Sequence, residues 1–193
     1  FLSGLLAFNM PGVARIRSQP KDLLEAPPKN KRGGQMAAIL SYILMKNHVH
    51  LLVRCEEEKN LALLLQKIFI GYTMYFNSKY NRKGVLFQGR SKSKHIDKDE
   101  YLNHVFKYVH LNALDETMPE WRKGNVANIT LAKNTLLNHP WSSVKAIAGQ
   151  KYDPVIDIGL VKELGLLGDN FITSSLQWSS QNLEDCQNLI MES

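Results

Sequence analysis

Residues 39–54 read ILSYILMKNHVHLLVR, and the reading of this run decides how the rest of the chain is organised. Successive side chains of a β-strand point to opposite faces, so His48 and His50, two apart, leave the same face with their imidazoles side by side. Two ligands of one divalent ion need that arrangement. Val49, Leu51, Leu52 and Val53 are strand formers that bury the other face and the far end. A His-x-His in an apolar strand is more often a pair of tolerated polar side chains, or one satisfied core histidine, so the metal reading depends on what surrounds it.

Outward from this run, residues 37–44 and 48–54 are expected as two strands joined at Lys46-Asn47. Asn60 is expected to cap a long helix in which Leu61, Leu64, Leu65, Ile68, Tyr72, Tyr75 and Phe76 recur at three and four and form one packing face. Short strands are expected at 85–87 and 91–96, on either side of a Gln-Gly-Arg turn. Asp97, with Glu100 three residues on, is expected to open a second long helix. That helix carries Tyr101, His104, Val105, Tyr108, Leu111 and Asn112 along one stripe. Further helices are expected at 128–138, from Pro140 over WSSVKAIAG, and from Asp153 to Leu164. Before the strands, residues 1–9 read as the end of an amphipathic helix, and 13–35, with three prolines, two glycines and six basic residues, as a loop of low order.

The chain has 193 residues, 44% hydrophobic and 22% charged, which suits one domain with a sizeable core and an appendage. Two distant cysteines, Cys55 and Cys186, suggest neither a disulfide framework nor a zinc knuckle. A reducing, cytoplasmic setting follows, and no apolar run approaches the roughly 20 residues of a membrane span. The net charge of +6 is unevenly spread. Residues 76–107 hold eight basic residues against three acidic ones, whereas 150–193 hold two against seven. A polyanion is the expected partner of the basic centre.

Tyr108 and Asn112 are four apart and share a helical face. If that face looks at His48 and His50, two imidazoles and an amide oxygen can hold a divalent cation, and the phenol is left as nucleophile. A phosphodiester attacked by a phenol stays linked to it, so the chemistry is strand cleavage with the end retained. The plainer alternatives are a core tyrosine at 108 and a helix C-cap at 112. Tyr72 and Tyr75 are rival nucleophiles, but lack a carboxamide one turn on.

The runs YILMKNHVHLLVR (42–54), GYTMYFNSKYNRKGVLFQGRSKSKHI (71–96) and YLNHVFKYVHLNAL (101–114) together resemble the REP-associated tyrosine transposases, single-tyrosine members of the HUH nuclease superfamily. The later HPWSSVKAI (139–147) resembles the segment that follows in relatives. The resemblance implies an α+β fold, a ferredoxin-like antiparallel sheet with helices packed on it and a helical C-terminal extension. It implies a catalytic core over 1–114, whose first strand would precede Phe1, an extension over 115–178 and a flexible polar tail over 179–193.

It also implies Mg²⁺ or Mn²⁺ as cofactor and single-stranded DNA with hairpins as substrate, cut and rejoined through a 5′-phosphotyrosine by a monomer or homodimer away from any membrane. By the same resemblance Tyr108 is the nucleophile, and His48, His50 and Asn112 are the metal ligands. Lys79, Arg82, Lys83, Arg90, Lys92 and Lys94 would track DNA phosphates, with Phe87 and Gln88 near a base. Lys46 and Ala113 stand where the family usually has proline. The alternatives are a catalytically idle DNA-binding relative, and a metal-dependent phosphodiesterase that uses water.

Overall fold

A computed structural model describes residues 1–9, 24 and 34–180. The chain divides into two compact units, residues 1–38 with 53–91, and residues 39–52 with 92–193. The loop expected over 13–35 lies almost wholly outside the described residues, as do Cys186 and the polar tail beyond Ser180. The class is α+β. Among the described residues there is one two-stranded antiparallel sheet with seven helices, several of them C-terminal. None of these helices is long and apolar enough to cross a membrane.

In the first unit, α1 (Leu2–Phe8) packs against α2 (Glu58–Lys79). Leu64 and Ile68 are the buried residues of α2, at the spacing of one face. The helix begins at Glu58 after Glu57, not after Asn60, whose amide donates instead to Glu57 Oε2 at 3.2 Å. A glycine at 71 is what lets α1 come close, because a Cβ there would stand 2.9 Å from the Phe8 ring. Phe1, Phe69, Tyr72 and Phe87 form an aromatic cluster beside this contact, with ring centroids 4.6–6.4 Å apart. After α1 the buried Asn9 imitates a strand neighbour. Its amide donates to Ala37 O at 2.6 Å, and its side-chain oxygen accepts from Ala37 N at 2.9 Å. Both backbone groups of Ala37 are thereby satisfied in a buried place.

The sheet is made by β1 (Ala38–Leu44) and β2 (Val49–Arg54), of which residues 39–44 and 49–52 belong to the second unit. Ile39, Leu40, Ser41, Tyr42 and Ile43 are all buried, so β1 is covered on both faces. Its free edge is closed by the HPWSSV segment. Leu44 N donates to Trp141 O at 2.9 Å, Ser143 N to Tyr42 O at 3.1 Å, and Ile43 bridges Ser142. Pro140 therefore does not start a helix. Residues 141–143 serve as an edge partner, and only Val144–Ile147 (here α5) is helical.

Helix α3 (Asp99–Leu111) follows, with Asp99 and Glu100 in its first turn, where acidic groups suit the positive end of the helix dipole. It starts after Lys98 with no side-chain cap, so the expected pairing of Asp97 with Glu100 is not formed. A second correction concerns 85–87 and 91–96, which are turns and coil rather than strands. Residues 91–96 are largely exposed while Leu86 and Phe87 are half-buried, and neither stretch has a ladder partner, so an isolated short strand would have nothing to stabilise it.

Past α3 come 3₁₀ turns at Asn112–Leu114 and Pro119–Lys123, then α4 (Ile129–Asn138), α5, α6 (Ile158–Glu163) and α7 (Phe171–Ser179). Asn128 caps α4 by accepting from Leu131 N at 2.9 Å, and Asp157 caps α6 by accepting from Leu160 N at 3.0 Å. The cap is thus Asp157 and not Asp153, whose carboxylate accepts from the Tyr42 hydroxyl at 2.5 Å. Phe106, Leu111, Leu114, Trp121, Leu136 and Leu176 are completely buried and form the core around which these helices pack.

Candidate functional site

The turn from β1 to β2 is tight, Met45 N donating to His48 O at 2.9 Å, and β2 begins one residue later at Val49. His48 therefore ends the turn, and His50 is the second residue of the strand. Their side chains share a face as the alternation requires, with Nε2 atoms 3.0 Å apart and rings edge to face at 4.8 Å. His48 Nδ1 lies 2.7 Å from Asn47 Oδ1, which can only accept. The Nδ1 proton of His48 is thus committed to Asn47, and its Nε2 lone pair is left pointing at His50. His50 is driven down to about 4 by burial first, then by His48 and Arg122. At neutral pH it is an uncharged imidazole.

The geometry suits a cation. For ligand bonds near 2.1 Å, two ligands at right angles are about 3 Å apart, which is the separation of these two nitrogens. Ligation needs the His50 proton to move to Nδ1, a change of tautomer and not of fold. Among the described residues no group of three or more His, Cys, Asp or Glu side chains has metal-binding geometry. Any further ligand must come from an amide, a hydroxyl, water or substrate.

The ring of Tyr108, on α3, meets the ring of His50 edge to face at 6.3 Å. The structure thus brings Tyr108 beside the histidine pair. Tyr108 is only 4% exposed, and Asn112 is fully buried. Asn112 is the C-cap of α3 and folds back on it, its amide nitrogen donating to Tyr108 O at 2.8 Å. Its oxygen accepts from Arg122 Nη2 at 2.8 Å, and an amide oxygen with two lone pairs keeps one in reserve.

Arg122 is the residue that sequence reasoning missed. Its guanidinium donates to the Tyr108 hydroxyl through Nη1, to Asn112 through Nη2, and to both oxygens of Asp115 at 2.9 and 2.8 Å. Trp121 Nε1 donates to the same carboxylate at 2.7 Å. Tyr108, Asn112 and Asp115 recur at four and three, so one face continues from α3 through the 3₁₀ turn, and the guanidinium lies along it. The side chains of Arg122 and Asp115 are 29% and 22% exposed, which makes this a largely enclosed pair. No periodicity marks it. The one signal was a Trp-Arg-Lys run, residues 121–123, between two expected helices.

Behind Tyr108 on the same helix, His110 is buried and held below its ordinary value, to about 4, by that burial. Its Nδ1 reaches Phe106 O at 2.8 Å and must donate, so Nε2 accepts from the Ser143 hydroxyl at 2.8 Å. Ser143 Oγ in turn accepts from Tyr42 N at 3.0 Å. The network ties α3 to the edge of β1 in the unit that carries the histidine pair.

The expected DNA-contacting residues are distributed over both units. In the first, Lys79, Arg82, Lys83, Gln88 and Arg90 are exposed, with Lys79 over the Tyr75 and Tyr80 rings at 5.7 and 5.4 Å and Arg82 over Phe76 at 5.5 Å. The turn that presents them is held by Asn77, which donates to Gly84 O at 2.8 Å. Phe87 is half-buried against Phe69 at 4.6 Å, so its ring is engaged in packing. Lys92 and Lys94 are exposed in the second unit. The rival nucleophile Tyr72 lies in the aromatic cluster of the first unit.

Residues 20–112 match the family model described as "Transposase IS200 like". His48, His50, Tyr108, Asn112 and the basic run from Lys79 to Lys94 all fall within that span, whereas Asp115 and Arg122 lie beyond it. No curated protein and no solved structure matches the chain.

Proposed function

We propose, for a chain whose residues 20–112 match the IS200-like transposase family, that it nicks and rejoins single-stranded DNA through a phosphotyrosine on Tyr108. The match to that family supports reading the chain as a transposase, with DNA as its partner. The observation that carries the finer reading is the meeting of three side chains, His48 and His50 with Nε2 atoms 3.0 Å apart and the Tyr108 ring on the edge of His50.

In this reading His48 and His50 hold Mg²⁺ or Mn²⁺, with the remaining lone pair of Asn112 as a third protein ligand. Such an ion, when bound, supplies Lewis-acid polarisation of a phosphate oxygen. Asn47 keeps the His48 proton away from the ion by holding it on Nδ1. The Tyr108 oxygen attacks phosphorus, an O–P bond forms, the bond from phosphorus to the 3′ oxygen breaks, and that oxygen takes up a proton from water. The phenol proton leaves to solvent. The DNA end stays on the enzyme as a 5′-phosphotyrosine, and attack by a 3′ hydroxyl reverses the step. Backbone phosphates are met by Lys79, Arg82, Lys83, Arg90, Lys92 and Lys94. A preference for hairpin-bearing single strands and a REP-associated role belong to the same proposal.

The 4% exposure of Tyr108 favours a second reading, a DNA-binding relative that does not cut. A denaturing gel of the protein with 3′-labelled single strands and Mn²⁺ separates the cases. A band shifted by the mass of the protein, absent in chelator, is expected. Unchanged DNA would support the idle module, and free cut ends a water nucleophile.

A further inference from the structure

The catalytic reading of Tyr108 leaves unexplained why a buried phenol is met by a guanidinium that is itself gripped by a carboxylate. Arg122 gives Asp115 two parallel N–H bonds at 2.9 and 2.8 Å, the fork-on-fork pairing that fixes a guanidinium in one orientation. That orientation sends Nη1 to the Tyr108 hydroxyl and Nη2 to Asn112 Oδ1. The guanidinium also lies over the Tyr108 and Trp121 rings, 5.4 and 5.1 Å from their centroids. Core packing needs none of this, since a phenol can be satisfied by a backbone carbonyl without bringing an ion pair into an enclosed place.

We propose that Arg122 is the charge partner of the Tyr108 oxygen during strand transfer and that Asp115 is the positioning residue that aims it. This rests on Tyr108 being the nucleophile. In the forward step the phenol oxygen loses its proton to water and forms the bond to phosphorus, and the bond from phosphorus to the 3′ oxygen breaks, that oxygen taking up a proton from water, while Arg122 Nη1 keeps the phenol oxygen in place. In the reverse step a 3′ hydroxyl gives its proton to water and attacks phosphorus, the bond from phosphorus to the phenol oxygen breaks, and the electron pair stays on that oxygen. The negative charge then faces a guanidinium already oriented toward it, which is the most favourable arrangement for a leaving oxygen in a water-poor place. Nη2 holds Asn112 at the same time, so the nucleophile and the amide one turn on are kept in register by one side chain.

The test is adduct formation with a 3′-labelled pool of random single-stranded DNA and Mn²⁺, followed over pH 6–10 for the full chain and three variants. Arg122→Gln is expected to slow adduct formation at pH 7.5 by about 10²–10³-fold, the usual cost of one such donor. Its pH profile is expected to move to higher pH, because an oxygen that must carry charge has lost its cation. Arg122→Lys keeps the charge but loses the fork, so it is expected to slow the step about tenfold without moving the profile. It is the variant to read if Arg122→Gln does not fold. Tyr108→Phe is expected to give no adduct. A folded Arg122→Gln protein with unchanged rate and profile overturns the role of Arg122 while leaving Tyr108 in place. So does an Arg122→Lys protein whose profile moves as far as that of Arg122→Gln. Adduct from Tyr108→Phe overturns the nucleophile itself.

Discussion

At the scale of single residues, the candidate site depends on groups that neutralise one another. Asp115 accepts from Arg122 twice and from Trp121 once, and only 22% of its side chain is exposed. Asp115→Ala would leave a half-enclosed guanidinium and a fully buried indole without their acceptor. It is expected to destabilise the fold by about 3 kcal/mol in urea unfolding, much more than an exposed ion pair would contribute. The pairing Lys123–Glu120 next to it, with side chains 75% and 58% exposed, serves as the control, and Lys123→Ala should leave stability nearly unchanged. The histidine pair was legible in the sequence because the two-residue period of a strand is local. Arg122 was not, because an ion pair across seven residues and a hydrogen bond across fourteen leave no periodic trace.

At the scale of elements, α3 and the edge of β1 are joined by His110, buried as a neutral imidazole between Phe106 O and Ser143. Its proton affinity is depressed in the folded state, to about 4. The unfolded chain therefore binds more protons between about pH 6.5 and 4, and the stabilisation present above pH 6.5 is lost as pH falls through that window. Between pH 7.5 and 5 the wild type is expected to lose about 2 kcal/mol more than His110→Gln, measured by urea unfolding at both pH values. Equal losses would mean that His110 is not the group responsible.

The helix pair of the first unit makes a different prediction. Gly71→Ala raises helix propensity by about 1 kcal/mol, but puts a Cβ 2.9 Å from the Phe8 ring. Overpacking costs of about 1–3 kcal/mol should win, with Phe8→Leu relieving the clash so that the double variant is more stable than additivity allows. An additive double variant would mean that the two residues do not touch. The two long helices and the strand pair were legible from their apolar spacing. Residues 85–96 were not, because β-forming residues were taken as strands where no ladder partner exists. The edge pairing of Trp141 to Ser143 with β1 was also missed, since Pro140 beside a short apolar run imitates a helix start.

At the scale of the molecule, the basic centre legible in composition bears on how DNA would be held under the proposed function. Arg82, Lys83 and Arg90 are exposed, as side chains that neutralise phosphates must be. Replacing all three with glutamine is expected to weaken single-strand binding similarly for all sequences, and to lower the salt slope by about 2, at about 0.7 per phosphate contact. An unchanged slope would mean that these charges only solvate the surface. The central claim concerns which oxygen takes the DNA. Tyr72 and Tyr108 lie on helices of similar apolar pattern, but Tyr108 alone is seen beside His50, Asn112 and Arg122. The most direct measurement is peptide mass spectrometry of the adduct trapped with single-stranded DNA and Mn²⁺ and then digested with nuclease and protease. The predicted result is a phosphonucleotide on the peptide that contains Tyr108, and the contradicting result is the same mass on the peptide that contains Tyr72.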